Sequence, residues 1–202
     1  MTVITGNLAQ AQDILSSTGS STRRYNYVEL QFLTNVDQSN PFLVTGLLDL
    51  TRGFALTGQF TNQREQLISD EPNLNGEAGT DLFTVGLLYR NQLFSFQNSD
   101  WFVEGAAGRL QLEVDTPAAQ ITQGILILRG SGGIRQTLTE RLELELSGDV
   151  LFAEATAVTN SSTDVTVSAT AVYRVVRFID VALSINEVPN TNIVGLGLRV
   201  TW

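Results

Sequence analysis

Glu143 and Glu145 are the carboxylate pair in this sequence whose spacing comes nearest to that of a catalytic pair. They lie two residues apart on a predicted strand, which separates them by about 7 Å along one face. Hydrolysis of a glycosidic bond requires two carboxylates at a comparable separation. The preceding predicted strand carries arginines, so we favour ion pairing of both glutamates with Arg over catalysis.

Other reactive chemistry is scarce, because the sequence has no His or Cys and all twelve of its positive side chains are Arg. His is the usual general base and a common metal ligand. The Gly-rich segment Arg129–Gly133 is not followed by a helix, so it does not predict a phosphate-binding loop. Asp70, Glu71, Glu77 and Asp81 could offer oxygens to Ca²⁺ but lack the spacing of a calcium motif. We predict no catalytic residues, no cofactor and no metal site.

Length and charge limit the possible classes further. A chain of 202 residues fits one barrel or sandwich domain, or at most two small ones. Its net charge of −9 argues against a nucleic-acid partner, because phosphates attract basic surfaces. No apolar run approaches the roughly 18 residues of a transmembrane helix. Residues 1–6 lack the pattern of a signal peptide, so we expect the mature form if the protein is exported.

Period-two alternation of apolar and polar residues extends through most of the chain after residue 22 and predicts β-strands. Residues 1–22 are predicted to be an N-terminal arm, flexible or with one short helix, and residues 23–202 to form a barrel. Eight or twelve strands are alternatives to ten, because residues 91–100 leave room for another short strand. The ten predicted strands cover about 23–36, 41–51, 54–64, 80–90, 100–114, 121–137, 141–155, 164–174, 178–187 and 192–202.

The fifth predicted strand changes its apolar phase part-way along. Trp101 and Val103 are in one phase, whereas Leu110 and Leu112 are in the other. A β-bulge adds one residue to a strand and thereby restores the facing of its side chains. We therefore predict a bulge in the segment Gly105–Gly108.

Alternation alone does not decide which face lies outside, since a soluble barrel is apolar inside and a membrane barrel is apolar outside. Strands of about ten residues match the length of a bilayer crossing. Arg and Glu occupy the middle of the polar faces, and no Lys is present to solubilise an exterior. Aromatic residues near strand ends suit the two membrane interfaces; these are Tyr25, Tyr27, Phe54, Tyr89, Trp101, Phe152, Tyr173 and Trp202.

The last strand carries a family resemblance. Val194, Leu196, Leu198 and Val200 alternate with small or polar residues, and the chain ends on the aromatic Trp202. This pattern resembles the C-terminal signature of bacterial outer-membrane β-barrel proteins, which end more often on Phe. The resemblance implies an all-β, antiparallel, up-and-down transmembrane barrel of the small porin-like or OmpA-like kind.

Location and partners follow from the same resemblance. It implies the bacterial outer membrane as location, the lipid bilayer as partner and recognition of the last strand by the barrel assembly machinery. The familiar active sites of outer-membrane enzymes use His, so the resemblance does not imply an enzyme here.

Two hairpins predict inward ion pairs. A last loop at 188–191 places Asp180 opposite Arg199. A turn at 138–140 places Arg135 opposite Glu143 and Arg129 opposite Asp149. Opposite charges across a strand pair are a favourable arrangement.

A ten-stranded barrel lies near the size whose interior is filled by side chains. We expect a narrow, polar lumen that carries ions or small solutes, with a weak cation preference because the longer loops are acidic. The alternatives are a non-conducting structural or surface-interaction barrel that uses the loop 64–80, and a soluble lipocalin-like ligand carrier. The predicted constriction is the Arg129/Asp149 and Arg135/Glu143 group, and the predicted lining is Glu29, Asp49, Glu104, Arg109, Arg129, Arg135, Glu143, Glu145, Asp149, Asp180 and Arg199.

Overall fold

The alternating sequence forms a closed antiparallel barrel in the computed structural model, which describes residues 26–34, 41–51, 53–67, 76–93, 98–117, 119–154, 162–188 and 191–202. Each strand pairs with its neighbours in the chain, and β1 closes the barrel on β10. The predicted all-β, up-and-down barrel of ten strands is confirmed. The predicted arm, residues 1–22, lies outside the described residues. The strands are β1 Tyr27–Thr34, β2 Phe42–Thr51, β3 Phe54–Leu67, β4 Gly76–Gln92, β5 Ser99–Thr116, β6 Ala119–Thr137, β7 Leu142–Ala153, β8 Ser162–Val176, β9 Ile179–Val188 and β10 Thr191–Thr201.

The two ends of the barrel differ. We call the end that carries Tyr27 and Trp202 the terminal end, and the opposite end the loop end. The connections at the loop end are not uniformly long, because Thr116 pairs with Ala119 and Val188 pairs with Thr191 across tight turns. No helix in the described part of the chain is long and apolar enough to cross a membrane.

The predicted register of the last hairpin is confirmed. Asp180 lies opposite Arg199, and Leu183 lies opposite Leu196.

The predicted register between β6 and β7 is wrong by two residues. Arg135 lies opposite Glu145, and Arg129 lies opposite Leu151. Five residues, 138–142, separate the paired Thr137 and Glu143, whereas three were predicted. Within this turn the Thr139 hydroxyl accepts hydrogen bonds from the backbone N–H groups of Arg141 and Leu142. A shift of two residues leaves every side chain on its original face.

The predicted bulge in β5 is also wrong. The register of β5 with both β4 and β6 continues without interruption from Asp100 to Asp115. The side chains after Gly105 therefore keep the facing of those before it. Leu110 points into the barrel and packs against an interior cluster, whereas Arg109 points outward.

The four strands β3 to β6 extend beyond the rest of the barrel at the loop end, since β4 to β6 have 17, 18 and 19 residues whereas β1 has 8. We call residues 61–67, 76–82, 110–116 and 119–125 the upper wall, and residues 54–60, 83–92, 99–109 and 126–137 the lower wall. Outward side chains of the lower wall are apolar and exposed, such as Leu87 and Val103. Outward side chains of the upper wall are polar, such as Asp81 and Gln111.

Buried apolar residues form two interior clusters. Tyr27, Leu47, Ala55, Leu88 and Phe102 fill the terminal end. The second cluster lies toward the loop end and consists of Ile125, Ile127 and Ala153, with Leu82, Leu110, Leu112 and Leu151 packed against them. Apolar side chains therefore pack inside the barrel at both levels.

Candidate functional site

The floor of the lumen, at the terminal end, contains a dry ion pair between the first and last strands. Arg199 Nε lies 2.5 Å from Glu29 Oε2. The guanidinium of Arg199 also lies 4.1 Å above the centre of the Tyr27 ring. Only 3% of Glu29 and 7% of Arg199 are exposed, so water has little access to this pair.

A second ion-pair group completes the floor. Arg135 Nη2 lies 2.5 Å from Glu145 Oε2, and Arg135 Nε lies 3.3 Å from Glu143 Oε1. The guanidinium carbon lies 5.8 Å from the centre of the Phe102 ring. Glu143 and Glu145 therefore both contact Arg135, and its positive charge neutralises part of theirs.

Two further ion pairs surround the floor. Arg90 Nη2 lies 2.5 Å from Asp49 Oδ1, and Arg174 Nε lies 3.6 Å from Asp180 Oδ1. Asp180 is opposite Arg199 on one side and Arg174 on the other, and its ion pair is formed with Arg174. Strand pairing alone thus fixes the neighbours of a charge without fixing its partner.

Above the floor lies a cavity of about 330 Å³, and polar side chains line the part of it nearest the floor. Arg129 Nη2 lies 2.5 Å from Asp149 Oδ1 and 19% of each side chain is exposed, which makes this pair wetter than those of the floor. Glu104 accepts hydrogen bonds from Thr57 Oγ1 at 2.6 Å and from Ser131 Oγ at 3.1 Å. The lining becomes apolar toward the loop end, where Leu33, Leu43, Leu82, Leu151 and Ile193 contribute.

Ten of the eleven predicted lining residues lie on the inner face, and Arg109 does not. It lies opposite Phe83 and Leu126, which are 53% and 57% exposed on the outer face. Its prediction as a lining residue is wrong because it depended on the bulge that β5 lacks. The four residues of the predicted constriction do not form one group. Arg135 and Glu143 belong to the floor, whereas Arg129 and Asp149 lie in the cavity.

Four inward charges were missed. Arg90 and Asp100 lie near the ends of β4 and β5, and Asp164 and Arg174 lie near the two ends of β8. Their signal was present in the alternation, since Arg90 is in phase with Leu88 and Arg174 is in phase with Val172, both of which are buried. They were overlooked because strand ends were assigned to turns.

The inner face carries an excess of negative charge in the described part of the barrel. Nine carboxylates and five guanidiniums lie on it: Glu29, Asp49, Asp100, Glu104, Glu143, Glu145, Asp149, Asp164 and Asp180, with Arg90, Arg129, Arg135, Arg174 and Arg199. Among the same described residues, no three carboxylates are grouped closely enough to hold a metal ion. Two of the four residues considered as Ca²⁺ ligands, Asp70 and Glu71, lie outside the described residues.

The outer face carries the apolar residues. The five residues of the C-terminal signature, Val194, Leu196, Leu198, Val200 and Trp202, are between 45% and 59% exposed there. Aromatic contacts occur toward both ends of this apolar surface. Tyr89 packs against Phe54 and Trp101 near the terminal end, with ring centres 4.9 and 5.6 Å apart, and Phe42 packs against Phe60 toward the loop end.

Comparison with known proteins identifies the fold. No protein-family model and no curated protein sequence matches the chain. The solved translocator domain of the autotransporter NalP from Neisseria meningitidis is similar, with a TM-score of 0.54 and 12% identity over 97% of this chain and 95% of that one. Neisserial surface protein A is similar, with a TM-score of 0.50 and 9% identity over 87% of this chain and 96% of that one. The chain has the fold of bacterial outer-membrane β-barrels.

Proposed function

We propose that this chain is a bacterial outer-membrane β-barrel whose lumen opens toward the loop end and is closed at the terminal end by ion pairs. In this proposal the bilayer surrounds the apolar outer face, and the assembly machinery recognises the β10 signature from Val194 to Trp202. The barrel is not an enzyme. It is non-conducting at rest, and ions or small solutes pass only when the floor opens.

The observation that carries this proposal is the burial of the floor charges. Glu29, Arg135 and Arg199 are each 7% exposed or less, although all three lie on the inner face. A water-filled pathway would hydrate these groups. Charges withdrawn from water remain stable only when they are paired, and each of these has a partner at 2.5 Å. The paired side chains of the floor, which come from the barrel wall itself, therefore act as a plug that closes the lumen at the terminal end.

A single-channel recording in a planar bilayer tests the plug. The unaltered barrel is expected to give no stable current. The double variant Glu29→Gln, Arg199→Gln removes both charges together and leaves no unpaired ion, so it should fold and pass small ions. The matched control is Arg64→Gln, which removes a positive charge from the outside of the upper wall and should stay silent.

Folding is checked separately by the mobility of unheated and heated samples in a gel, since folded membrane barrels migrate differently after heating. A steady current through the unaltered barrel would contradict the plug. So would a folded double variant that remains silent.

The second candidate function is a narrow, permanently open pathway that prefers cations. The excess of carboxylates on the inner face favours it, because fixed negative charge concentrates cations in a confined lumen. This candidate predicts a current in the unaltered barrel whose reversal potential in a salt gradient indicates cations. Asp149→Asn should then reduce the preference for cations, since Asp149 lies in the wetter part of the lumen.

A further inference from the structure

Arg109 occupies an unusual place on the outer face of β5. Its opposed neighbours, Phe83 and Leu126, belong to the last apolar row before the upper wall begins. In the next row toward the loop end, Asp81, Gln111 and Gly124 lie side by side. Arg109 is thus the one charged residue described among the apolar side chains of its row across β3 to β6.

The side chain of Arg109 is directed out of the apolar row. Its guanidinium lies over Gly124, so close that a Cβ atom on this glycine would overlap Nε, Cζ and Nη2. Long cationic side chains on a membrane surface extend in this way, with the stem along apolar residues and the charge at the level of the headgroups. Gly124 provides the space for the guanidinium.

The nearby carboxylates are paired with a different arginine. Arg64 Nη2 lies 3.2 Å from Asp81 Oδ2 and 3.7 Å from Glu113 Oε2. Asn62 also donates to Asp81, and Gln111 donates to Glu113. Arg109 forms no hydrogen bond or ion pair with any residue that the structure describes, although its side chain is exposed. Its five N–H donors are available to a ligand from outside the chain.

We propose that Arg109 binds the phosphate of a membrane lipid headgroup in the leaflet at the loop end. The planar guanidinium donates two parallel hydrogen bonds to phosphate oxygens, and the exposed Phe83 and Leu126 contact the acyl chains of the same lipid. This inference rests on the proposed membrane location of the barrel, but it does not depend on whether the lumen conducts.

Titration of the detergent-solubilised barrel with phosphatidic acid, followed by native mass spectrometry, tests the site. Arg109→Gln should bind about fivefold more weakly, the factor expected for one basic residue at a lipid surface. Gly124→Leu keeps the charge but fills the space under the guanidinium, and it should weaken binding as well. Arg109→Lys should bind with intermediate affinity, because an ammonium group keeps the charge but not the two-pronged geometry. The matched control Arg64→Gln removes an equal charge that is already paired and should change binding by less than twofold.

Two further ligands show whether the lipid phosphate, a free anion or the acyl chains account for the binding. Inorganic phosphate should not displace the lipid, and its displacement would identify a free-anion site instead. Diacylglycerol has the same chains without a phosphate and should not distinguish Arg109→Gln from the unaltered barrel. Equal binding of phosphatidic acid by Arg109→Gln and the unaltered barrel would overturn the proposal. Heat-dependent gel mobility of each variant shows separately whether the barrel has folded.

Discussion

The two halves of β5 carry opposite chemistry on one continuous strand. In the lower wall, Val103 points outward into the apolar surface while Glu104 points inward to the lumen. In the upper wall, Gln111 points outward to polar neighbours while Leu110 points inward to an apolar cluster. The backbone does not change register between them. The face that carries the apolar side chains changes instead, from the outer face in the lower wall to the inner face in the upper wall.

The reversal of apolar phase in β5 has a different cause from the bulge that the sequence predicts. A reversal of apolar phase within a strand is commonly taken to indicate a bulge. In β5 it marks the height at which the outward side chains change from apolar to polar, as expected where a barrel wall leaves the membrane in the proposed location. The change occurs between Val103 and Arg109, and the small residues Gly105 and Ala107 separate the two halves.

The strongest test of the inverted upper half is a charge in its interior. Ile125 is only 4% exposed, so Ile125→Asp should destabilise the barrel by about 3–5 kcal/mol or prevent folding. Ile125→Val is the control and should cost about 0.5–1.5 kcal/mol. Urea unfolding in lipid vesicles, followed by tryptophan fluorescence, measures both. A stable Asp variant would mean that water reaches this cluster.

One substitution made in both halves of the strand sharpens the comparison. Val103→Arg places a charge in the apolar outer surface and should cost about 2–4 kcal/mol. Gln111→Arg lies on the same face of the same strand, eight residues further along, and should cost less than about 1 kcal/mol. The difference between their free energies of unfolding in vesicles is the measurement. An equal loss of free energy of unfolding in the two variants would indicate that both residues have the same surroundings.

A smaller effect distinguishes two glycines of β5. At Gly108 an added Cβ would overlap the Phe83 carbonyl, so Gly108→Ala should destabilise the barrel by about 1–3 kcal/mol. At Gly105 an added Cβ meets no atom within 4 Å, so Gly105→Ala should change stability by less than about 0.5 kcal/mol. Thermal or urea unfolding of the two variants in parallel gives the comparison. A costly Gly105→Ala would indicate a partner packed against this surface.

Much of the fold followed from the alternation of residues, whereas the details of the site did not. The tight last loop fixed the register of β9 and β10 because few residues separate the strands. The turn between β6 and β7 is two residues longer than predicted, and the Thr139 hydroxyl caps this longer turn. Arg109 was misplaced because sequence alone cannot distinguish a bulge from a change in which face of the strand is apolar.

Ion-pair partners were the least predictable feature of the lumen. Arg199 and Asp180 are opposed in the register, yet Arg199 pairs with Glu29 from the other end of the chain. That choice depends on how β1 meets β10, which no hairpin determines. Arg129 and Asp149 do pair, although they are not directly opposed, because long side chains reach diagonal neighbours.

The Glu29–Arg199 pair also has a consequence for the order of folding. Its two residues come from the first and the last strand and are separated by 170 positions in the chain. Every other strand pair joins consecutive strands, so the contact between β1 and β10 has by far the greatest sequence separation and the greatest loop-closure entropy to overcome. The pair can form only after all ten strands are present and the seam has closed. Its formation would therefore report the final step of assembly, and a probe placed beside it would time the completion of the barrel.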